Sequence, residues 1–355
     1  MAGLLRTRVA AAGAHWLDLS ADAAHNRTVV TLAGAPAAVL EALFGCVSAA
    51  VERLDLRRHS GVHPRVGVAD VVPLVPLAGC DLDDCAASAR SLGERVWTEL
   101  RVPVYFYGAG VSLADIRAGR ARPDLGGPQP HPTAGAVCIG ARPLLVAFNV
   151  LLPGAGRRRA LELAGALRTA AGGPPGVQAL AFELPGGVQQ LSFNLVRPLE
   201  TTIPRLLEAI RALEPAAGPE EVVGLCPAAA AGPGAEGKLL EARLAAAAAG
   251  AAAELAGGDG GEELGRLAVR LEKEAAALAG LGYSGAELLG GAERAYALLR
   301  VLRAGGLLRD DLGAMLELAA RRLRAAVPTE ARERFPERLA LLDRWLSAPG
   351  VEGDR

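Results

Sequence analysis

Within the fourteen residues Arg57-Arg58-His59-Ser60-Gly61-Val62-His63-Pro64-Arg65-Val66-Gly67-Val68-Ala69-Asp70 fall two histidines, three arginines, two glycines and a proline. Helices and central strands reject that mixture, so the stretch reads as a loop that leads into a strand at Val68–Val75. Histidine titrates near neutrality, where a side chain is best placed to take and return a proton in acid-base catalysis. The flanking arginines repel a further positive charge and favour neutral imidazole, the form that accepts a proton. The same residues also suit a solvated loop with arginines at the surface.

Two further polar segments stand out. His25-Asn26-Arg27-Thr28 precedes a strand at Val29–Leu32 and fits a turn capped by the Asn side chain. Asp124 to Gly135, Asp-Leu-Gly-Gly-Pro-Gln-Pro-His-Pro-Thr-Ala-Gly, either connects two elements or lets backbone N–H groups approach a ligand, because glycine has no Cβ. His59, His63 and His131 have no carboxylate or cysteine at ligand spacing, so no metal site is expected. No GxxxxGK[ST], no GxGxxG after a strand and no GxSxG occurs, which argues against nucleotide binding and serine hydrolysis.

The elements that must position these residues come from a chain of 355, long enough for two to three domains of about 150 residues each. An apolar share of 51% supplies a core, and a net charge of -1 provides no field to hold nucleic acid or an acidic membrane. Any anion must be met by local arginines. Lys238 and Lys273 are the two lysines, so arginine carries nearly all the positive charge and an isolated one says little. Five cysteines without a CxxC pair fit a reducing cytoplasm. The longest alanine run, Leu244 to Leu255, is too short for roughly 30 Å of hydrocarbon, and no membrane span is expected.

Up to about Pro233, β-rich runs alternate with amphipathic stretches: Thr28–Leu32, Pro36–Leu54, Val68–Leu77, Leu82–Leu100 and Val102–Tyr107. That alternation predicts strands with crossover helices. Asp81–Leu100 opens on acidic residues and predicts a helix, and Arg117–Gly135 predicts a surface loop. A second block predicts strands at Leu144–Leu151, Val177–Glu183 and Val188–Leu195 and helices at Arg157–Ala171 and Ile203–Leu213. Phe148-Asn149 and Phe193-Asn194 form a faint internal echo inside it. Beyond Pro227 the composition shifts to Leu, Ala, Glu and Arg at helical spacing, which predicts about four helices divided at Gly257–Gly261, Gly280–Gly291, Gly305-Gly306 and Pro328.

Taken in order, the segments resemble the glutamate formimidoyltransferase family. The matching stretches are Asp18 with His25-Asn26-Arg27-Thr28-Val29-Val30-Thr31-Leu32-Ala33-Gly34, the Arg58 to Gly67 run with Asp70-Val71, Val102 to Gly108, Pro123 to Gly126, Gly140 to Asn149, Ser192-Phe193-Asn194, and Val223 to Pro227. They cover about Leu17 to Pro227, and H-x-G-x-H-P-R-x-G is the most specific of them. The resemblance implies a mixed α+β and α/β architecture, with formiminotransferase-type subdomains at 1–136 and 137–233 enclosing a folate cleft and a helical extension at 238–355. It implies transfer of the formimino group of N-formimino-L-glutamate to N5 of tetrahydrofolate, in one-carbon metabolism and histidine degradation, without a metal.

The family's catalytic histidine falls on His63. Its folate loop falls on Gly126, Gly127, Pro128, Gln129, Pro130, His131, Pro132, Thr133, Ala134 and Gly135. Asn26, Arg27, His59, Arg65, Arg142, Asn149 and Asn194 are the implied substrate-positioning residues, the arginines suiting carboxylates because a guanidinium binds them bidentately. A cytoplasmic enzyme and a homo-oligomer fit this picture. Family members carry a V-P-N-F-S-E-G-type segment before the point where this chain starts, Ser20 stands at an acidic position, and the loop between Tyr107 and Pro123 is short. The tail lacks the G-G-G-S stretch of the cyclodeaminase domain, so no deaminase activity is expected of it. A silent folate-binding or scaffolding relative, and formyl transfer between 5-formyltetrahydrofolate and glutamate, stay open as alternatives.

Overall fold

The computed structural model describes residues 1–77, 80–108, 111–244 and 246–247, with scattered positions between 317 and 343. Residues 1–244 form one compact unit and 245–355 a second. Helix α1 (Ala2–Ala11) buries Leu5 and Val9, one turn apart, and packs on α2 (Pro36–Arg53), which starts with proline at its first turn and buries Ala42, Phe44, Val47 and Ala49. Between them, β1 (His15–Asp22) and β2 (Arg27–Ala33) form an antiparallel hairpin. Neither α1 nor β1 was marked by its sequence pattern. The four residues joining the strands form a tight turn that closes with Asn26 at φ 46°, a left-handed position that asparagine tolerates. Because β2 pairs with β1, α2 leads to a strand of another sheet instead of crossing over within one as predicted.

The crossover pattern does hold in the next block. Strands β3 (Val71–Leu74), β4 (Val104–Phe106) and β5 (Val137–Ala141) form a parallel sheet in the order β3-β5-β4. Helix α3 (Leu82–Arg95) runs on through a π-helical turn at Val96–Leu100, so helical structure reaches the predicted end. Asp81 and Asp84 cap α3 reciprocally, each accepting the other's backbone N–H. The flanking Cys80 and Cys85 bring their sulfurs to 3.6 Å, in the place of a hydrophobic staple. Phe44 and Val47 of α2, Leu92 and Val96, and Val72, Val104 and Ile139 of the sheet share one core. Short α4 (Leu113–Arg117) precedes the long loop to β5.

Strands β6 (Val146–Leu152), β7 (Val177–Glu183), β8 (Gln189–Leu195) and β9 (Glu220–Val223), with helices α5 (Arg157–Ala166) and α6 (Ile203–Leu213), make a split β-α-β-β-α-β motif. Its sheet has the order β7-β8-β6-β9, and every neighbouring pair is antiparallel. Gly186 and Gly187, both at positive φ, turn β7 directly into β8, the two consecutive strands that the sequence pattern predicts. Helix α5 ends at Ala166 rather than at Ala171, because Arg168 goes extended ahead of a 3-10 turn at Thr169–Ala171. The Phe-Asn echo is a cross-strand pair: Phe148 faces Phe193 in register, and both lie in the core against α5 and α6. Period-2 alternation leaves Gln190, Ser192 and Asn149 on the opposite face.

In the second unit, α7 (Thr329–Arg334) is helical, and Ala320, Val327 and Leu339 are buried. Arg324 forms two hydrogen bonds to the Asp343 carboxylate, at 2.7 and 2.6 Å. The helices predicted between Leu264 and Leu302, and their glycine breaks, lie outside the described residues. Among the described residues, no helix is long and apolar enough to cross a membrane.

Candidate functional site

Two turns are pressed together around His63. Val62 N donates to Ala24 O at 3.2 Å, and Asn26 Nδ2 donates to Ser60 O at 2.7 Å. His59 Nε2 lies 2.9 Å from Asn26 O, and since a carbonyl only accepts, that nitrogen carries the hydrogen. A Cβ on Gly61 would come within 2.5 Å of His25 O, so glycine is what lets the β1–β2 turn and the His63 loop touch. Arg65 completes the clasp, its Nη2 donating to His25 O at 2.9 Å and to His63 O at 3.0 Å. Asn26, His59 and Arg65 therefore hold the loop that presents His63.

The predicted folate loop forms the next wall. Val68 N donates to Ala134 O and Ala136 N to Val66 O, each at 3.0 Å, which ties the loop's end three residues from His63. Gly67 has no room for a Cβ, which would lie 1.9 Å from Ala136 O. His131 turns its Nδ1 inward to accept from Ala134 N at 3.0 Å, and its backbone exchanges hydrogen bonds with Gly135. Gly126 packs on the Trp97 ring, whereas Gly127, Pro128, Gln129, Pro130 and Pro132 are exposed, Thr133 is half-buried, and Ala134 and Gly135 are buried. Within this one segment, the exposed part is free to meet a ligand and the buried part serves packing.

Charge gathers on His63 from several elements. Burial first, then the positive charges of Arg27, Arg117, His25 and Arg65, drive its pKa down to about 3. Arginines were predicted to favour the neutral ring, and they do, but burial is the larger cause. Arg117, from the end of α4, pairs with Asp70 Oδ2 at 2.9 Å, while Asp70 Oδ1 accepts from Val66 N at 2.7 Å. Burial lowers the proton affinity of Arg27, opposed by the nearby carboxylates of Asp22 and Glu221. Arg27 Nε and Arg65 Nη1 are buried N–H donors without a hydrogen-bond partner. Such donors are rare in native proteins and suit an anionic guest.

The polar face of the antiparallel sheet lies opposite. Asn149 Nδ2 donates to Glu221 Oε2 at 3.0 Å, and Asn149 Oδ1 accepts from Ser192 Oγ at 2.6 Å. Asn149 thus holds the carboxylate that acts on Arg27. Phe182 of β7 meets the His25 ring edge-to-face, with centroids 5.5 Å apart. Gln190, opposite Phe182 in register, is buried with its Oε1 unpartnered.

Not every predicted residue arrives here. Arg142 follows the last residue of β5, about 20 Å along the chain from Ala136, where the His63 loop is bonded. It donates to Pro143 O at 3.0 Å and sits beside Tyr107. Asn194 is exposed, in register with Ala147. Conversely, Arg117, Glu221 and Phe182 reach the site from distant elements, and no local pattern singles them out. Asp22, three residues before His25, was a local signal that could have been read. Among the described residues, no three His, Cys, Asp or Glu side chains converge as a metal centre would need.

Comparison with known proteins bears on this geometry. A family model described as the formiminotransferase domain, N-terminal subdomain, matches residues 4–142, which include β1 to β5 and His63. The chain is 34% identical over 251 residues to the glutamate formimidoyltransferase of Streptococcus pyogenes serotype M1, covering 64% of this chain and 84% of that protein. It is 35% identical over 236 residues to that of Thermoplasma acidophilum, covering 59% of this chain and 78% of the relative. With the formimidoyltransferase-cyclodeaminase of Rattus norvegicus the identity is 38% over 154 residues, 38% of this chain and 28% of that protein.

Proposed function

The chain belongs to the glutamate formimidoyltransferase family and is a transferase of that kind, and from this premise we propose that it moves the formimino group of N-formimino-L-glutamate to N5 of tetrahydrofolate. The observation that carries this reading is a neutral His63 standing among three guanidinium groups, two of which have buried donors without partners. His63 is the catalytic residue. Its imidazole takes the N5 proton as that nitrogen bonds to the formimino carbon, and returns it to the glutamate nitrogen as the old carbon–nitrogen bond breaks.

Arg27, Arg65 and Arg117 bind substrate carboxylate. Each charge they lose to that pairing stops repelling a proton from His63, so the bound substrate raises the imidazole from about 3 toward the working pH, where proton transfer is most effective. We assign the sheets before and after about residue 136 to two subdomains that enclose a folate cleft, with Gly126–Gly135 as its folate loop and 238–355 as a helical extension that favours self-association. Arg142, away from this cluster, is left for the far end of the folate. Histidine breakdown in the cytoplasm, feeding one-carbon metabolism, is the setting this chemistry fits.

The test is direct. Purified chain incubated with both substrates should release glutamate and form 5-formiminotetrahydrofolate, and His63→Ala should lower kcat by about 10²- to 10⁴-fold. Near-normal turnover by that variant removes His63 from its role, and no turnover by folded wild type removes the reaction.

A further inference from the structure

His25 is buried to 1% exposure inside the site, yet neither ring nitrogen has a hydrogen-bond partner. Its Nδ1 lies 3.2 Å from Asp22 Oδ2, an ion-pair distance without hydrogen-bond geometry, and its backbone N donates to Asp22 Oδ1 at 2.8 Å. Its ring stands edge-to-face with His63 at a centroid distance of 6.5 Å, and with Phe182 on its other contact at 5.5 Å. A histidine kept only for packing would find partners for its nitrogens or be replaced by an apolar ring, because an unpaired buried polar atom is costly. Here the apolar neighbour is Phe182 and the polar neighbours are Asp22 and His63.

We propose that His25, steered by Asp22, is a positioning residue for His63: it fixes the orientation of that ring and discourages it from holding a proton. The edge contact acts through shape. The charge acts because a proton on His25, matched by the Asp22 carboxylate, opposes a second proton on His63. Other charges facing His63 are Arg27 from β2, Arg65 from its own loop and Arg117 from α4, the last paired with Asp70. Glu221 of β9 faces Arg27. Around His25 the charged groups are Asp22 and Arg65, whose Nη2 donates to His25 O at 2.9 Å, and the neutral His63 ring stands across the edge contact. This extends the reading of His63 as the acid-base group, and its test is chosen to stand apart from that reading.

The test follows the ring resonances of isotope-labelled histidine in the full chain without substrate, in wild type and in His25→Phe, which keeps an aromatic edge and removes the charge. His63 should begin to protonate about one pH unit higher in the variant, the size expected of a unit charge at this separation. His25→Gln, neutral but polar, gives the same comparison should the aromatic variant fold poorly. With substrates, the acid limb of the kcat profile should move up with the ring titration, at unchanged KM. An unchanged His63 titration in a folded variant overturns the proposal, as does an unchanged kcat profile. A shifted ring titration in a chain without transferase activity would leave the positioning role in place and overturn only the assigned reaction.

Discussion

The ammonium of Lys238 lies 3.1 Å from both carboxylate oxygens of Asp18, a pair joined across 220 positions of sequence. Asp18 is a buried residue of β1, and the same ammonium donates to Ser20 Oγ at 2.9 Å. Ser20 Oγ also accepts from Gly224 N at 3.1 Å and donates to Asp18 at 2.9 Å. The backbone brings Lys238 there, since Cys226 N donates to Lys238 O and Leu240 N to Cys226 O, each at 2.9 Å. The segment that follows the antiparallel sheet is thereby clasped to the hairpin that carries the His25 turn.

Lys238→Met should therefore destabilise the chain by about 3 kcal/mol, the lower end for breaking a buried pair, because Asp18 keeps a charge with little solvent. Asp18→Asn together with Lys238→Met should recover most of that loss. Urea unfolding of the three proteins measures it. A single-variant cost under about 0.5 kcal/mol, the range of an ordinary surface change, would mean that Asp18 is satisfied without the lysine, by water or by Arg243, whose Nη2 lies 3.9 Å from Asp18 Oδ1.

The clasp also decides where the helical extension can be cut. Removal of 245–355 leaves Lys238 in place and should give a folded 1–244 with largely intact activity per molecule and altered oligomeric state or solubility. Removal from 238 should in addition carry the clasp's stability cost. Sedimentation and turnover on both truncations separate the two, and an inactive, folded 1–244 of unchanged oligomeric state would show that the extension belongs to the catalytic apparatus.

Local signals were legible in the sequence, and convergence was not. The mixture of His, Gly, Pro and Arg in 57–70 identified a loop because each residue is locally unsuited to helix or strand, and Gly61 and Gly67 prove to be the close-approach points. Acidic residues at 81–84 marked the start of α3 for the same local reason. By contrast, α1 and β1 carry no strong period, and the order β7-β8-β6-β9 depends on which strands pair, which no local residue marks. Arg142 and Arg27 are the same residue type with the same prior, yet one follows the end of β5 and the other begins β2. Only tertiary pairing tells them apart.

The exposed and buried halves of the 126–135 loop make a residue-level expectation for hydrogen exchange. His131, Ala134 and Gly135 amides are already bonded within the loop, so tetrahydrofolate should change them little. Gly127 and Gln129 are exposed and should gain protection as the loop meets ligand. Equal exchange at those two amides with and without saturating folate would place the folate elsewhere.

His63 links pH to both stability and binding. Its pKa is about 3 in the folded chain against 6.5 for a free imidazole, so below 6.5 the unfolded chain takes up a proton that the folded chain refuses. The stability this contributes is fully present above pH 6.5 and is lost progressively as the pH falls toward 3. His63→Gln should accordingly flatten the fall in unfolding free energy between about pH 6.5 and 4.5 relative to wild type. Anion binding runs the same linkage in reverse. Glutamate seated on Arg27, Arg65 and Arg117 cancels charges that hold the imidazole neutral, so its binding below pH 6.5 should draw a proton from solution and tighten as the pH drops. Calorimetry at pH 5.5 in buffers of different ionisation enthalpy reads that uptake directly, and it should vanish in His63→Gln while binding persists. Glutamate binding with no proton uptake by wild type would mean that the carboxylate sits away from these three arginines.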